Sequence, residues 1–142
     1  MKEMFMSIEG LRFGHVAFRV VDAERSVRWY SDAFGAKKIY HAEAQSDRPE
    51  LMFLEFSKGQ FIELFTGGKN RPNSPAAAIG YIHFCVVVAN LEQALEHLAK
   101  MDVKPERKFI GRADQRIAFI TDPDGNSIEL MEIPPNSPIY RE

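Results

Sequence analysis

An α+β fold of two tandem βαβββ modules, whose strands form a curved mixed sheet around one concavity, is what three features of this 142-residue sequence predict. Landmark residues recur at a constant offset: His15 and His83, Asp22 and Asn90, Val27 and Leu95, and Tyr30 and Leu98 each stand 68 positions apart. Within each half, one alternating segment is followed by an amphipathic helical pattern and then by three more alternating segments. A stretch rich in Gly, Pro and Asn, 67–76, falls between the halves. A repeat of this period is an internal duplication, and each half is one supersecondary unit.

Module 1 spans about residues 12–66. Its first strand, 12–21, has two unlike faces: Val16, Phe18 and Val20 are apolar, while the other side carries Phe13, His15, Ala17 and Arg19. Asp22 is placed to cap a helix whose apolar positions Ala23, Val27, Tyr30 and Phe34 share a face, and Gly35 is its natural stop. Trp29, beside Tyr30, is expected in packing or on a subunit surface. Strands 36–44, 50–57 and 60–66 follow, the last two joined through Ser57-Lys58-Gly59-Gln60.

After a linker at 67–79, module 2 repeats the plan over about 80–133. Strand 80–88 leads to Asn90, a cap with Gln93 at the capping-box position, and to a helix whose apolar stripe is Leu91, Ala94, Leu95 and Leu98. Strands 103–110, 115–121 and 126–133 complete it, the last pair turning at Asp122-Pro123-Asp124-Gly125. The proline-rich tail, 134–142, cannot continue a sheet and is expected to lie across a neighbouring subunit.

A chain 45% hydrophobic supports a real core, and a net charge of −2 with both signs mixed gives no footprint for nucleic acid or an anionic membrane. The single Cys85 excludes an intrachain disulfide and fits a reducing, cytoplasmic setting. It shares a face with His83 and is expected as a small buried filler. The acidic residues at the start leave no apolar core for a signal peptide, so the chain is expected to be unprocessed.

Two carboxylates sit inside apolar strands. Glu63 in Phe61-Ile62-Glu63-Leu64-Phe65 and Glu129 in Ser127-Ile128-Glu129-Leu130-Met131 are 66 positions apart, and each points away from its aliphatic neighbours. Such a carboxylate needs a partner. Equivalent modules packed about a pseudo-twofold place His15 and Glu63 opposite His83 and Glu129, because each helix covers the apolar face and leaves the other to line the concavity. Two imidazoles and two carboxylates on rigid strands are a donor set for one divalent metal ion. Two four-stranded halves also leave open edges, which predicts a homodimer or pairing within the chain.

The opening from His15 through Arg19, Asp22, Arg25 and Ser26 to Tyr30, the ending from Asp122 to Glu129, and the doubled βαβββ plan resemble the vicinal oxygen chelate superfamily over nearly the whole chain. That superfamily includes glyoxalase I, methylmalonyl-CoA epimerase, extradiol dioxygenases and fosfomycin or bleomycin resistance proteins. The His, Glu, His, Glu order looks most like glyoxalase I. The resemblance implies a lyase or isomerase acting on the hemithioacetal of a 2-oxoaldehyde and a thiol such as glutathione, with Ni, Co or Zn as cofactor. It implies Glu129 as base, Glu63 as second acid-base group, and Arg19, Arg107 and Lys108 as substrate-binding cations. Gly67 stands where glyoxalase I has asparagine. An epimerase-like proton transfer and a non-catalytic drug-binding protein of the same fold are the alternatives.

Overall fold

The computed structural model describes residues 8–71 and 78–140. Module 1 contains β1 (His15–Arg19), α1 (Ala23–Phe34), β2 (Lys37–Ala42), β3 (Leu51–Ser57) and β4 (Gln60–Phe65). Module 2 contains β5 (Phe84–Val87), α2 (Leu91–Ala99), β6 (Arg107–Ile110), β7 (Arg116–Thr121) and β8 (Ser127–Glu132). The duplication is therefore real at the level of elements. Both βαβββ modules form mixed sheets, ordered β1-β4-β3-β2 and β5-β8-β7-β6, in which β1∥β4 and β5∥β8 are the parallel pairs.

The helices begin and end as local chemistry requires. Asp22 accepts a hydrogen bond from the Arg25 amide at 3.0 Å, and Asn90 accepts one from the Gln93 amide at the same distance. Gly35 ends α1 at φ 69°, a left-handed conformation that side chains with a Cβ avoid, and the Gly35 and Ala36 amides close on Ser31 and Tyr30 carbonyls.

One expectation is corrected here. The strands do not make a single curved sheet around a concavity, because β1 and β5 remain unpaired outer edges of two separate four-stranded sheets, neither of which closes. The physical reason is the direction of the apolar faces. Leu54, Ile62 and Leu64 of module 1 and Ile120, Ile128 and Leu130 of module 2 belong to one continuous core with Tyr30, Leu91 and Leu98 from the helices. Each buried aliphatic contributes on the order of 1.5–3 kcal/mol, so these faces turn toward each other and the opposite faces turn away.

Polar contacts fasten the modules along this seam. The Tyr30 hydroxyl donates to buried Asp122 at 2.8 Å, Arg25 pairs with Asp124 at 2.8 Å, and His97 Nε2 meets the Asp32 carbonyl at 2.7 Å. Burial, then the neighbouring Asp122, pushes the Tyr30 hydroxyl far above the usual phenol range, so it remains a donor. Trp29 is a packing residue, edge-on to Tyr30 at 5.0 Å and to Phe34 at 5.8 Å.

From the linker, Arg71 donates to the Asp124 carbonyl at 2.7 Å; residues 72–77 lie outside the described residues. No helix among the described residues is long and apolar enough to cross a membrane.

Candidate functional site

The four residues expected to converge on one metal ion stand as two separate His–Glu pairs. His15 Nε2 lies 2.9 Å from Glu63 Oε2, and His83 Nε2 lies 2.7 Å from Glu129 Oε2. Strand register explains both. Ala17 stands opposite Glu63 in the β1–β4 pair, and Cys85 opposite Glu129 in the β5–β8 pair, so each histidine, two residues earlier on its segment, reaches its carboxylate from the adjoining strand.

An aromatic ring holds each imidazole. Phe53 sits edge-on to His15 at 5.1 Å and Phe119 edge-on to His83 at 5.0 Å. These phenylalanines are cross-strand neighbours of Glu63 and Glu129 and stand 66 positions apart, the same offset as the glutamates. That matching offset was a signal in the sequence, but apolar strand residues do not advertise a site. His83 Nδ1 is buried without a hydrogen-bond partner, which leaves Nε2 as the nitrogen turned toward Glu129.

The four side chains do not come together within one chain. Each pair is a candidate half-site on the face of its own sheet opposite the apolar core, and the only described group of three or more ligating residues with donor atoms within 4.8 Å of one another lies elsewhere. The donor chemistry nevertheless fits a divalent ion: each half-site presents one imidazole nitrogen and one carboxylate oxygen from rigid strands, and two halves make a mixed four-ligand set.

The cationic residues separate. Arg107 lies in the row Cys85, Glu129, Phe119, Arg107 across sheet 2, with its guanidinium 4.1 Å from the Phe119 ring centroid. Arg19 shares the Glu63 face of sheet 1, and its Nη1 donates to the Thr66 carbonyl at 3.1 Å. Lys108, by strand alternation, points to the other face and pairs with Glu92, which also holds Arg116 at 3.1 Å. Lys108, chiefly through its hydrogen bond, and then Arg116 hold the Glu92 carboxyl below its usual range. Lys108 is thus occupied away from the half-site.

Cys85 is exposed rather than a buried filler. Its thiol is nevertheless pushed up to about 12 by local burial and by Glu129, which keeps it protonated and a poor nucleophile.

A candidate metal-chelating triad that the sequence pattern did not single out lies at His41, Glu43 and Glu50. His41 Nε2 is 2.7 Å from Glu50 and Nδ1 is 3.8 Å from Glu43. Glu43, just past the end of β2, stands two residues from His41, and the β2–β3 connection returns Glu50 beside them. His41 aligns with buried Met52, so the triad lies on the helix-bearing face of sheet 1, opposite Glu63. We expect His41→Ala to change stability by no more than about 1 kcal/mol, the range for exposed ion pairs, which thermal unfolding will check.

Residues 12–130 match the family described as Glyoxalase/Bleomycin resistance protein/Dioxygenase superfamily. A lactoylglutathione lyase of Schizosaccharomyces pombe is 28% identical over 141 residues, covering 84% of this chain and 47% of that protein. A lactoylglutathione lyase of Pseudomonas aeruginosa is 25% identical over 153 residues, covering 91% of this chain and 86% of that protein. The chain spans about half the length of the first of these, as it does for a relative in Arabidopsis thaliana at 44%. Among solved structures, a glyoxalase family protein from Enterococcus faecalis superimposes with a TM-score of 0.75 at 20% identity, covering 88% of this chain and all of that one.

Proposed function

The chain belongs to the Glyoxalase/Bleomycin resistance protein/Dioxygenase superfamily, and from that premise we propose that it is a metal-dependent lyase or isomerase of the glyoxalase I type. Its substrate is the hemithioacetal of a 2-oxoaldehyde and a thiol, glutathione or another, in the cytoplasm. The observation that carries this reading is the repeated His–Glu pair, His15 with Glu63 and His83 with Glu129, each on a rigid strand and edge-packed by an equivalent phenylalanine.

His15, Glu63, His83 and Glu129 hold one divalent ion, Ni, Co or Zn. When bound, that ion supplies a Lewis acid for the two substrate oxygens. The chain's own residues do the rest. Glu129 takes the proton from the carbon bearing sulfur and hydroxyl; the C–H pair becomes the carbon–carbon double bond of an enediolate as the neighbouring carbonyl π pair moves onto its oxygen, and Glu129 then returns the proton to that neighbouring carbon while the first carbon's hydroxyl gives up its proton and becomes the thioester carbonyl. Glu63, on the symmetric side, exchanges protons with the oxygens. Arg107, free of any carboxylate partner among the described contacts and separated from Glu129 in its row by Phe119, meets an anionic group of the thiol, and Arg19 lies on the companion face.

Because the half-sites face away from the shared core, the working unit is a homodimer in which module 1 of one protomer meets module 2 of the other. The unpaired edges β1 and β5, with Phe13, Tyr81, Ile82 and Val87 exposed beside them, support this arrangement. The test is complementation. A chain carrying His15→Ala and Glu63→Ala, and another carrying His83→Ala and Glu129→Ala, are each expected to be inactive. Refolded together, they should recover about a quarter of wild-type hemithioacetal turnover, since half of the dimers are mixed and each has one intact site. No recovery, with a dimer mass by scattering, places the site within one chain. No wild-type turnover with any of the three metals rejects the activity, and acyl-CoA epimerisation instead moves the protein to the epimerase branch.

A further inference from the structure

The tail beyond β8 has a defined place. Ser137 is buried; its amide donates to the Pro134 carbonyl at 3.2 Å, and its hydroxyl accepts from the Ile139 and Tyr140 amides, both at 3.2 Å. This anchor delivers Tyr140 to a groove between the modules, where its ring lines the wall together with His83, Cys85 and Tyr81. Cys85, on the same wall, stands opposite Glu129 in the β5–β8 pair. No side chain or carbonyl among the described residues receives the Tyr140 hydroxyl, so a donor without a protein partner lines the same groove as His83.

We propose that Tyr140 is a substrate-contacting residue of the His83–Glu129 half-site, its hydroxyl donating a hydrogen bond to the oxygen on which negative charge gathers as Glu129 removes the proton. This rests on the function proposed above and adds to it a tail residue that has no counterpart in module 1, since the duplication ends before residue 134. The ligand class it selects is an oxyanion or enediolate-like group rather than a neutral apolar molecule. Rigid donors aimed at developing charge act on kcat more than on KM.

The test uses the full chain loaded with zinc. Tyr140→Phe removes the hydroxyl alone and should lower kcat for a hemithioacetal by about 10- to 100-fold with little change in KM, metal content or melting temperature. Ser137→Ala, which frees the anchor while keeping the phenol, should reproduce much of that loss. A second readout does not depend on turnover: acetohydroxamic acid, a planar mimic of an enediolate, should bind the zinc-loaded wild type about 10-fold more tightly than Tyr140→Phe. A kcat within about twofold of wild type in Tyr140→Phe overturns the proposal. So does equal hydroxamate affinity in the two proteins, or none in either. Absent hemithioacetal turnover with the hydroxamate difference intact rejects the proposed reaction but keeps Tyr140 as an oxyanion contact.

Discussion

Hemithioacetal turnover by Glu129→Gln is expected to fall by roughly 10²–10⁴ at matched metal occupancy, the contribution general acid-base catalysis typically makes. The substitution keeps size and an oxygen that can coordinate, and Ile128 and Leu130 on the other face still anchor the strand in the core. What it removes is the proton acceptor. The amide oxygen stays within reach of the position the carboxylate holds, 2.7 Å from His83 Nε2, so the half-site geometry should survive. Glu63→Gln is expected to be milder, because the symmetric carboxylate serves the oxygens rather than the carbon. Near-wild-type activity in Glu129→Gln would reject the assignment. Equal losses in the two variants, with metal retained, would mean that the halves share the base role.

The second large effect concerns stability. Asp122→Ala should destabilise the chain by about 3–5 kcal/mol, measured as a shift of the denaturation midpoint at unchanged slope. Asp122 is buried and accepts four hydrogen bonds: from the Tyr30 hydroxyl at 2.8 Å, the Asp124 and Asn126 amides at 2.9 and 2.8 Å, and the Asn126 side chain at 2.8 Å. Removing it strands donors from both modules at once. Tyr30→Phe deletes one of the four and should cost about 1–2 kcal/mol. If Asp122→Ala costs no more than Tyr30→Phe, the turn is held by Gly125, left-handed at φ 78°, and by its backbone alone, and the carboxylate does not lock the modules.

The element order, both helix caps, the Gly35 stop and the half-site pairs were all legible, because each depends on short spacings. Alternation sends Glu63 away from Ile62 and Leu64, and a two-residue step on the neighbouring strand brings His15 to it. Strand ends were less legible. The first strand of module 2, expected over 80–88, runs only from Phe84 to Val87, leaving His83 just outside it, since an edge strand has one pairing partner to extend it. In the tail, which was expected across another subunit, Ser137 closes a local turn by accepting from the Ile139 and Tyr140 amides, a contact encoded by a single hydroxyl. Asp122 was seen only as a turn residue, because its bond to Tyr30 spans 92 positions.

The sequence by itself determined that there are two equivalent modules, and that His15, Glu63 and Glu129 leave the apolar faces of their strands. These are local or periodic properties, set by side-chain alternation and by the 68- and 66-residue offsets. Only the tertiary structure decided how the modules meet. Two amphipathic modules can pack with their polar faces around a common hollow or with their apolar faces around a common core, and the same alternating pattern permits both. Here burial of Ile62, Leu64, Ile128 and Leu130 in one core, fastened by Tyr30 to Asp122 and Arg25 to Asp124, turns the His–Glu faces outward as two separate half-sites. The pattern of residues specifies the pairs, and the larger free energy of apolar burial specifies where the pairs are left.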